Sequence, residues 1–334
     1  MLNEPIAPTI PADLAGAVLS IDLAALSANY KTLAAKAGKA TCGAAVKGNA
    51  YGLGIGPVSQ ALWQAGCRHF FVARPKEGEE LRALLPEAVI YVLDGLFPGQ
   101  AEFYAKLDLR PALISIEEAR EWVAFGRQYG RALPCSLHVD TGINRLGLTM
   151  EAFHALTLDK TMMRDLNVSL LMSHLACADD PGHSLNEKQL KRFRAVRAML
   201  PDVPASLSNS SGIYLGKTYA HDLVRPGIAL YGSSPAAELD AVMLDLKPVM
   251  TLESEIIAVQ SLEKGDHVGY GAQYTAKKAM KIGVVACGYA DGYPRHAPTG
   301  TPILVSGQQA TTVGRVAMDM LYVDLTHLPE VGLG

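Results

Sequence analysis

Features typical of secreted, membrane and nucleic-acid-binding proteins are scarce in this sequence. Its 334 residues contain only five cysteines, odd in number and widely spaced, which indicates neither a disulfide framework nor a zinc site. No apolar run is long enough to span a bilayer, and no lysine or arginine precedes Lys31, so the basic start of a secretory signal is missing. The net charge is −3 and no basic run occurs, which argues against nucleic acid and membrane partners. The sequence therefore predicts a cytoplasmic protein with free thiols.

Sequence fingerprints for nucleotides and metals are also missing. The glycine-rich stretch 52–56 (GLGIG) does not match a dinucleotide fingerprint, because Pro57 interrupts the spacing and no acidic partner follows. No Walker sequence occurs. One group of potential ligands lies in a predicted loop without metal-ligand spacing, so no metal site is expected there; it comprises Cys177, Asp179, Asp180 and His183.

Short apolar runs alternate with helical patterns between about Ala40 and Gly232. Amphipathic stretches such as KEGEELRALL separate the runs, and an earlier strand and helix, VLSIDLAALSANYKTLAAKA, have Asp22 as predicted N-cap. Eight strands each followed by a helix or its trace predict an α/β fold, a (β/α)₈ TIM-like barrel. The predicted strands are TCGAAVK, HFFVA, AVIYVLD, RPALIS, PCSLHVD, SLLMSHL, ASLSNS and DLVRPGIALYG.

The pattern changes after about Leu246, where strand-like segments follow one another and few helical windows remain. We therefore expect a cofactor-binding barrel over residues 14–245 and a smaller, mostly β domain over 246–334. Residues 1–13 are expected to associate with the β domain.

Polar residues stand at the predicted strand ends. Active sites of (β/α)₈ barrels lie at the carboxyl ends of the strands, so these side chains are expected to converge in an enzyme site. They are Lys47, Asn49, Asp140, Arg145, His174, Asn209, Ser210 and Arg225, and Gly227 stands beside Arg225 at the eighth strand end.

Lys47 directly follows the apolar run GAAV. Desolvation at the inner end of a barrel strand would lower its pKa and free the amine for Schiff-base chemistry. Its position alone favours a structural lysine whose ammonium reaches solvent.

An ordered set of motifs decides between these two interpretations. AAVKGNAYGLG resembles the lysine motif of the alanine racemase family, in which this lysine holds pyridoxal 5'-phosphate as an internal aldimine. The similarity spans nearly the whole chain in family order, through HVDTGINRLGL, MSHLACADD, LSNSSGIYL, RPGIALYG, VGYGAQY, CGYADGYPR and VGRVAMDM.

The resemblance implies two catalytic bases. Lys47 would carry the cofactor and act on the Cα–H of the D-enantiomer, and Tyr270 would act on the L-enantiomer from the opposite face. In the family this tyrosine reaches the other subunit's cofactor, which implies a homodimer with composite active sites.

The remaining site roles also follow from the resemblance. Arg225, supported by His174, would face the pyridine nitrogen, while the phosphate would be held by Ser210, Tyr51, Gly227 and Ile228. Arg145 and Met318 would bind substrate, with Asp319 near Met318 and Tyr289 at the entrance. His138 stands where many members carry a carbamylated lysine that orients this arginine, so the orientation of Arg145 must differ.

The resemblance implies a cytoplasmic isomerase that interconverts L- and D-alanine and supplies D-alanine for cell-wall peptidoglycan. Alternatives are a non-catalytic pyridoxal-phosphate-binding protein, a racemase of broader specificity such as serine, and a related decarboxylase, which would need a carboxylate at Arg225. Family members continue past VGRVAMDM to a phosphate-binding tyrosine, so we expect the β domain to be truncated at its C-terminus.

Overall fold

The computed structural model describes residues 14–236 and 241–334. Two compact units are present: one spans Ile21–Met250, and the other combines the segment up to Ser20 with Thr251–Gly334. The predicted association of residues 1–13 lies outside the described residues. β1 (Ala17–Ile21) pairs with β11 (Met250–Ser254). The predicted boundary at residue 14 therefore requires correction, because this pairing places β1 with the second unit.

The Ile21–Met250 unit alternates strands with helices. Its strands are β2 (Thr41–Cys42), β3 (Ala44–Ala45), β4 (His69–Val72), β5 (Val89–Val92), β6 (Leu109–Leu113), β7 (Pro134–His138), β8 (Asn167–Met172), β9 (Ala205–Ser206) and β10 (Leu223–Val224). Its helices are α1 (Leu23–Ala37), α2 (Lys47–Tyr51), α3 (Ile55–Gln64), α4 (Pro75–Leu84), α5 (Ala101–Lys106), α6 (Ile116–Tyr129), α7 (Met150–Leu158), α8 (Lys160–Asp165), α9 (Ser184–Met199), α10 (Ser210–Tyr214) and α11 (Lys217–Ala220).

These strands form a closed parallel barrel, as the sequence predicted. Strands β3 to β9 pair in chain order, and β10 pairs in parallel with β2. A hydrogen bond from the N–H of Asp222, the residue before β10, to the carbonyl of Ala205 (2.9 Å) connects β9 to β10. Only Gly43 separates β2 from β3, and a Cβ there would lie 2.8 Å from the Phe71 ring. Counting β2 and β3 as one strand gives the eight strands of a (β/α)₈ barrel.

Alternation along the strands divides the apolar residues between two cores. In β4, Phe71 packs inside the barrel, whereas Phe70 and Val72 face the helices. Tyr91 of β5 likewise packs inside, stacked on Phe71 with ring centroids 4.9 Å apart. The predicted cap of α1 is confirmed, since the Asp22 carboxylate accepts the N–H of Ala25 at 2.8 Å.

The second unit is mostly β, as predicted. Its core sheet is antiparallel in the order β12 (Ile256–Leu262), β15 (Met280–Val285) and β18 (Leu321–Asp324). Two antiparallel pairs join β13 (His267–Val268) to β14 (Tyr274–Thr275), and β16 (Pro302–Val305) to β17 (Gln308–Thr311). No helix within the described ranges is long and apolar enough to cross a bilayer.

Candidate active site

Lys47 follows β3 at the carboxyl end of the strand, with only Val46 between them. Its side chain is only partly exposed, and burial lowers the pKa of the amine, with the nearby Arg145 guanidinium as the second cause. The carboxylate of Asp94 opposes this effect by raising the pKa. A lowered pKa increases the fraction of unprotonated amine at neutral pH, which is the form that acts as nucleophile or base.

The backbone after Lys47 forms a left-handed turn. The φ angles of Gly48, Asn49, Ala50 and Tyr51 are 65°, 54°, 53° and 58°. A non-glycine residue in this region costs of order 1–3 kcal/mol, so the surroundings must hold it there. The Asn49 side chain accepts the N–H of Ile55 at 2.8 Å and so satisfies a free amide at the start of α3.

Glu77 supports the same turn from the next β/α unit, and none of the sequence motifs includes it. Its carboxylate accepts the N–H groups of Gly48 at 2.5 Å and Asn49 at 3.2 Å. Its position as third residue of α4, behind Pro75, is typical of a carboxylate that caps its own helix. That signal predicts the local cap but not the contact with the Lys47 turn.

A candidate phosphate site is formed by Ser210, Gly227 and Tyr51. The buried Ser210 Oγ accepts the N–H of Gly227 at 2.8 Å and of Ala229 at 3.2 Å, which leaves its O–H free to donate. A Cβ on Gly227 would overlap the Tyr51 hydroxyl. Ile228 begins a short 3₁₀ helix directly after Gly227 and is 44% exposed. Hydroxyl and backbone N–H donors of this kind suit a phosphate.

Arg225 follows β10 and is buried. Its guanidinium donates to the Ser206 carbonyl at 2.9 Å and to the Ser173 carbonyl at 2.6 Å. Burial lowers its pKa, yet a guanidinium still remains charged at neutral pH.

His174 lies beside Arg225, with its Nδ1 3.5 Å from a guanidinium nitrogen. Burial, followed by the charge of Arg225, holds the pKa of this imidazole well below its usual value. Its ring is therefore neutral, and only a neutral ring leaves a nitrogen able to accept a hydrogen bond.

The loop after β7 carries Arg145. Asp140 shapes this loop, since one carboxylate oxygen accepts the N–H groups of Gly142, Ile143 and Asn144. Arg145 is exposed, and its charge acts on Lys47.

His138, the last residue of β7, is 5% exposed, and neither of its ring nitrogens has a hydrogen-bond partner among the described residues. Burial, together with Arg225 and Arg145, lowers the pKa of His138 to about 4. The imidazole is therefore neutral at physiological pH.

Tyr270 and Met318 belong to the second unit. Tyr270 lies between Gly269 and Gly271, which both have positive φ, and its side chain is 72% exposed. Met318 is 58% exposed, and its carbonyl accepts the N–H of Ala290 at 2.8 Å.

The backbone around Met318 is tightly packed. A Cβ on Gly288 would overlap the peptide between Met318 and Asp319, and Tyr289 donates its N–H to the Ala317 carbonyl at 3.1 Å. Within this unit, three of the predicted residues therefore lie together: Tyr289, which follows β15, and Met318 and Asp319, which precede β18. Tyr270 instead follows β13.

The loop containing Cys177, Asp179, Asp180 and His183 uses its polar groups locally. The Asp180 carboxylate accepts the N–H of Gly182, and the His183 ring accepts that of Leu185. In the part of the chain that the structure describes, no three histidine, cysteine or acidic side chains are grouped as metal ligands.

Known proteins are similar to this chain in sequence and in fold. The family profile "Alanine racemase, N-terminal domain" matches residues 21–235, and "Alanine racemase, C-terminal domain" matches 249–334. An alanine racemase of Methylobacterium nodulans is 45% identical over 314 residues, covering 94% of this chain and 84% of that protein. One of Brucella abortus is 41% identical, covering 95% and 83%.

Solved structures agree with the sequence matches. The biosynthetic alanine racemase of Pseudomonas aeruginosa superposes with a TM-score of 0.89 at 39% identity, covering 96% of this chain and 89% of that one. The Bartonella henselae enzyme, solved with covalently bound pyridoxal phosphate, gives 0.87 at 37% identity, with 94% and 87% covered. The chain therefore belongs to the alanine racemase family.

Proposed function

We propose that this protein is a pyridoxal-phosphate-dependent isomerase that interconverts L-alanine and D-alanine. The observation that carries the proposal is the Lys47 amine, whose pKa is lowered at the end of a barrel strand beside a buried arginine. The strands that carry these residues are neighbours, because the N–H of Ala45 donates to the Pro226 carbonyl at 2.8 Å. The reaction assigned to Lys47 and Arg225 follows from the membership of this chain in the alanine racemase family.

The described residues fit the cofactor. Lys47 would hold it through its amine, and the free Ser210 hydroxyl with the amides of Gly227 and Ile228 would hold its phosphate beside Tyr51. Arg225, supported by His174, would face its ring nitrogen. When bound, the cofactor withdraws electrons from the substrate Cα, so that the Cα–H proton can be removed.

Arg225 limits how strongly electrons are withdrawn. A guanidinium donates a hydrogen bond but does not readily give up its proton. The ring nitrogen would therefore stay unprotonated, which favours prompt return of the proton to Cα over side reactions such as transamination.

Two bases on opposite faces of Cα would move the proton. Lys47, with its lowered pKa, would serve D-alanine, and Tyr270 would serve L-alanine. We infer that Tyr270 and Met318 act in the site of a partner subunit, so that the working form is a homodimer. Arg145 and the Met318 amide would bind the substrate carboxylate. The free cysteines suit a cytoplasmic enzyme that supplies D-alanine for peptidoglycan.

Exchange in deuterated water tests the two-base assignment. The wild-type protein should racemise either alanine enantiomer and introduce deuterium at Cα. Y270F should still exchange the Cα proton of D-alanine through Lys47, without inverting it, and should exchange L-alanine far more slowly. Equal exchange of both enantiomers by Y270F would disprove the role of Tyr270.

A cofactor measurement tests Lys47 separately. The purified protein should show the visible absorbance band of bound cofactor, and K47A should lose it. An unchanged band in K47A would overturn the assignment of Lys47. Retention of optical purity by a cofactor-bearing wild type would support the non-catalytic alternative, and L-serine in the same assay would reveal broader specificity.

A further inference from the structure

Glu77 joins two β/α units through a single carboxylate. Oε1 accepts the N–H groups of Gly48 (2.5 Å) and Asn49 (3.2 Å), which follow Lys47. Oε2 accepts those of Ala73 (2.8 Å) and Arg74 (3.1 Å), which follow β4. An ionised carboxylate offers about four lone-pair positions, so these four backbone donors use its full capacity.

The first two amides of the left-handed turn depend on this carboxylate. Later amides of the turn find backbone acceptors, as Ala50 donates to Val46 (2.8 Å) and Gly52 to Gly48 (2.9 Å). Across residues 14–236 and 241–334, the N–H groups of Gly48 and Asn49 have no partner other than Glu77. The N–H of Gly48 belongs to the peptide that joins Lys47 to Gly48, and Asn49 follows directly. Holding these two amides therefore restricts the rotation of the backbone next to Lys47, and with it the direction of the Lys47 side chain.

We propose that Glu77 is a positioning residue for Lys47: it holds the left-handed turn that aims the amine at the cofactor. The inference rests on the proposed function, since it concerns how Lys47 performs its role. It adds a residue that belongs to the following β/α unit and whose carboxylate is engaged by four backbone N–H groups.

The charge of Glu77 acts on Lys47 in the opposite sense to its hydrogen bonds. The negative carboxylate raises the pKa of Lys47, against the lowering by burial. Loss of the charge alone would leave more free amine at neutral pH and so favour reaction with the cofactor. Loss of the hydrogen bonds would let the turn relax and make cofactor capture weaker. The two contributions therefore predict opposite results.

Two residues supply matched controls. Asp94 also raises the pKa of Lys47, and more strongly than Glu77, but its described contact is an ion pair with Arg74. D94N therefore removes a comparable charge without touching the turn. Glu118 of α6 accepts the N–H of Ile114 at 3.0 Å and also a backbone hydrogen bond from Leu96. E118Q thus weakens a similar set of hydrogen bonds, from a helix carboxylate to loop N–H groups, at a place away from Lys47.

The experiment compares wild type with E77Q, E77D, D94N and E118Q. In E77Q one of the two carboxylate oxygens is replaced by an NH₂ group, so half of the acceptor capacity at this position is lost. In E77D the charge is kept, but the side chain is one methylene shorter. Cofactor affinity is measured by titrating apoprotein with pyridoxal phosphate and following the visible band, and stability is measured by urea unfolding. Kinetics in the alanine assay give kcat, KM and the pH profile.

We expect E77Q and E77D to weaken cofactor affinity by about tenfold and to lower kcat more than KM. D94N should bind the cofactor at least as tightly as wild type and should shift the pH profile to lower pH. E118Q should be less stable than wild type but should keep the absorbance band and the cofactor affinity. If E77Q matches E118Q in affinity and pH profile, the contribution of Glu77 is stability alone, and the proposal is wrong. If E77Q matches D94N, the contribution is charge alone, and the proposal is equally wrong. Failure of the proposed function gives a different result, because wild type would then show no band that K47A abolishes.

Discussion

The Tyr51 hydroxyl occupies the space that a side chain on Gly227 would need. Gly227 has a φ of −128°, outside the left-handed region. The Tyr51 ring packs on Tyr231 with centroids 4.6 Å apart, and the Tyr231 hydroxyl donates to the Ala45 carbonyl at 3.0 Å. These contacts bring the first β/α unit against the loop of the eighth, where the phosphate is expected.

The first prediction follows from this close approach. G227A should displace the Tyr51 hydroxyl and weaken cofactor retention about tenfold, measured by equilibrium dialysis. The Y51A/G227A double variant separates the causes, because the clash is absent once Tyr51 is removed. We expect the double variant to be no weaker than Y51A alone, so that the effects are non-additive. Additive losses would show that the clash is not the cause.

The second prediction concerns Ser210. S210A leaves the buried N–H groups of Gly227 and Ala229 without their acceptor, so unfolding should cost about 1–3 kcal/mol less than in wild type. The matched control is S211A, because Ser211 is a donor to the Pro235 carbonyl at 2.6 Å and has no such role toward Gly227. Urea unfolding of the apoproteins measures both variants. Equal stability of S210A and S211A would contradict the assignment.

The third prediction concerns the buried Arg225. R225K keeps the charge but loses the planar fork that reaches the Ser206 and Ser173 carbonyls, so we expect destabilisation of roughly 3–5 kcal/mol. Arg197 offers a comparison, since it pairs with Asp222 at 2.8 Å but is partly exposed. R197K should cost less than about 1 kcal/mol. Similar urea midpoints for the two variants would show that burial of Arg225 does not determine its contribution.

The fourth prediction is a pH dependence due to His138. Its pKa of about 4 in the folded protein lies below the value of about 6.5 in an unfolded chain. Between these values the unfolded state binds more protons, so stability falls as pH falls from about 6.5 to 4 and is fully present above that window. The 2.5-unit difference corresponds to roughly 3 kcal/mol.

Stability curves at several pH values test this dependence. H138Q should reduce the slope in that window, whatever its effect on stability at neutral pH. H154Q removes an exposed histidine of α7 and should leave the slope unchanged. An unchanged slope in H138Q would refute the prediction.

Much of the barrel could be predicted from the sequence, because apolar strands and amphipathic helices alternate with a regular spacing. The carboxyl ends of those strands fall at Lys47, His174 and Arg225 as the pattern indicates. The segment VLSID also predicts a strand, which the structure contains as β1. Period-two alternation does not indicate which strand β1 pairs with. Its pairing with β11 depends on contacts far apart in the chain.

The site could be predicted less completely. The motifs indicated Lys47, but the left-handed conformation of Asn49 and Ala50 has no marker in sequence beyond the surrounding glycines. The contact of Glu77 with this turn is equally hidden, because its position behind Pro75 predicts only a cap of its own helix, which also contains Glu79 and Glu80. Only the folded barrel brings one of these three carboxylates to the amides behind Lys47.

The shared carboxylate has a consequence for protein engineering. The conformation of residues 48–51 is supported by α4, which belongs to the following β/α unit. A graft of the reactive lysine and its loop into another barrel would therefore leave two amides without acceptors. A transplanted segment must therefore run from the strand before Lys47 through at least Glu77, and recombination breakpoints that separate Lys47 from Glu77 should yield inactive hybrids.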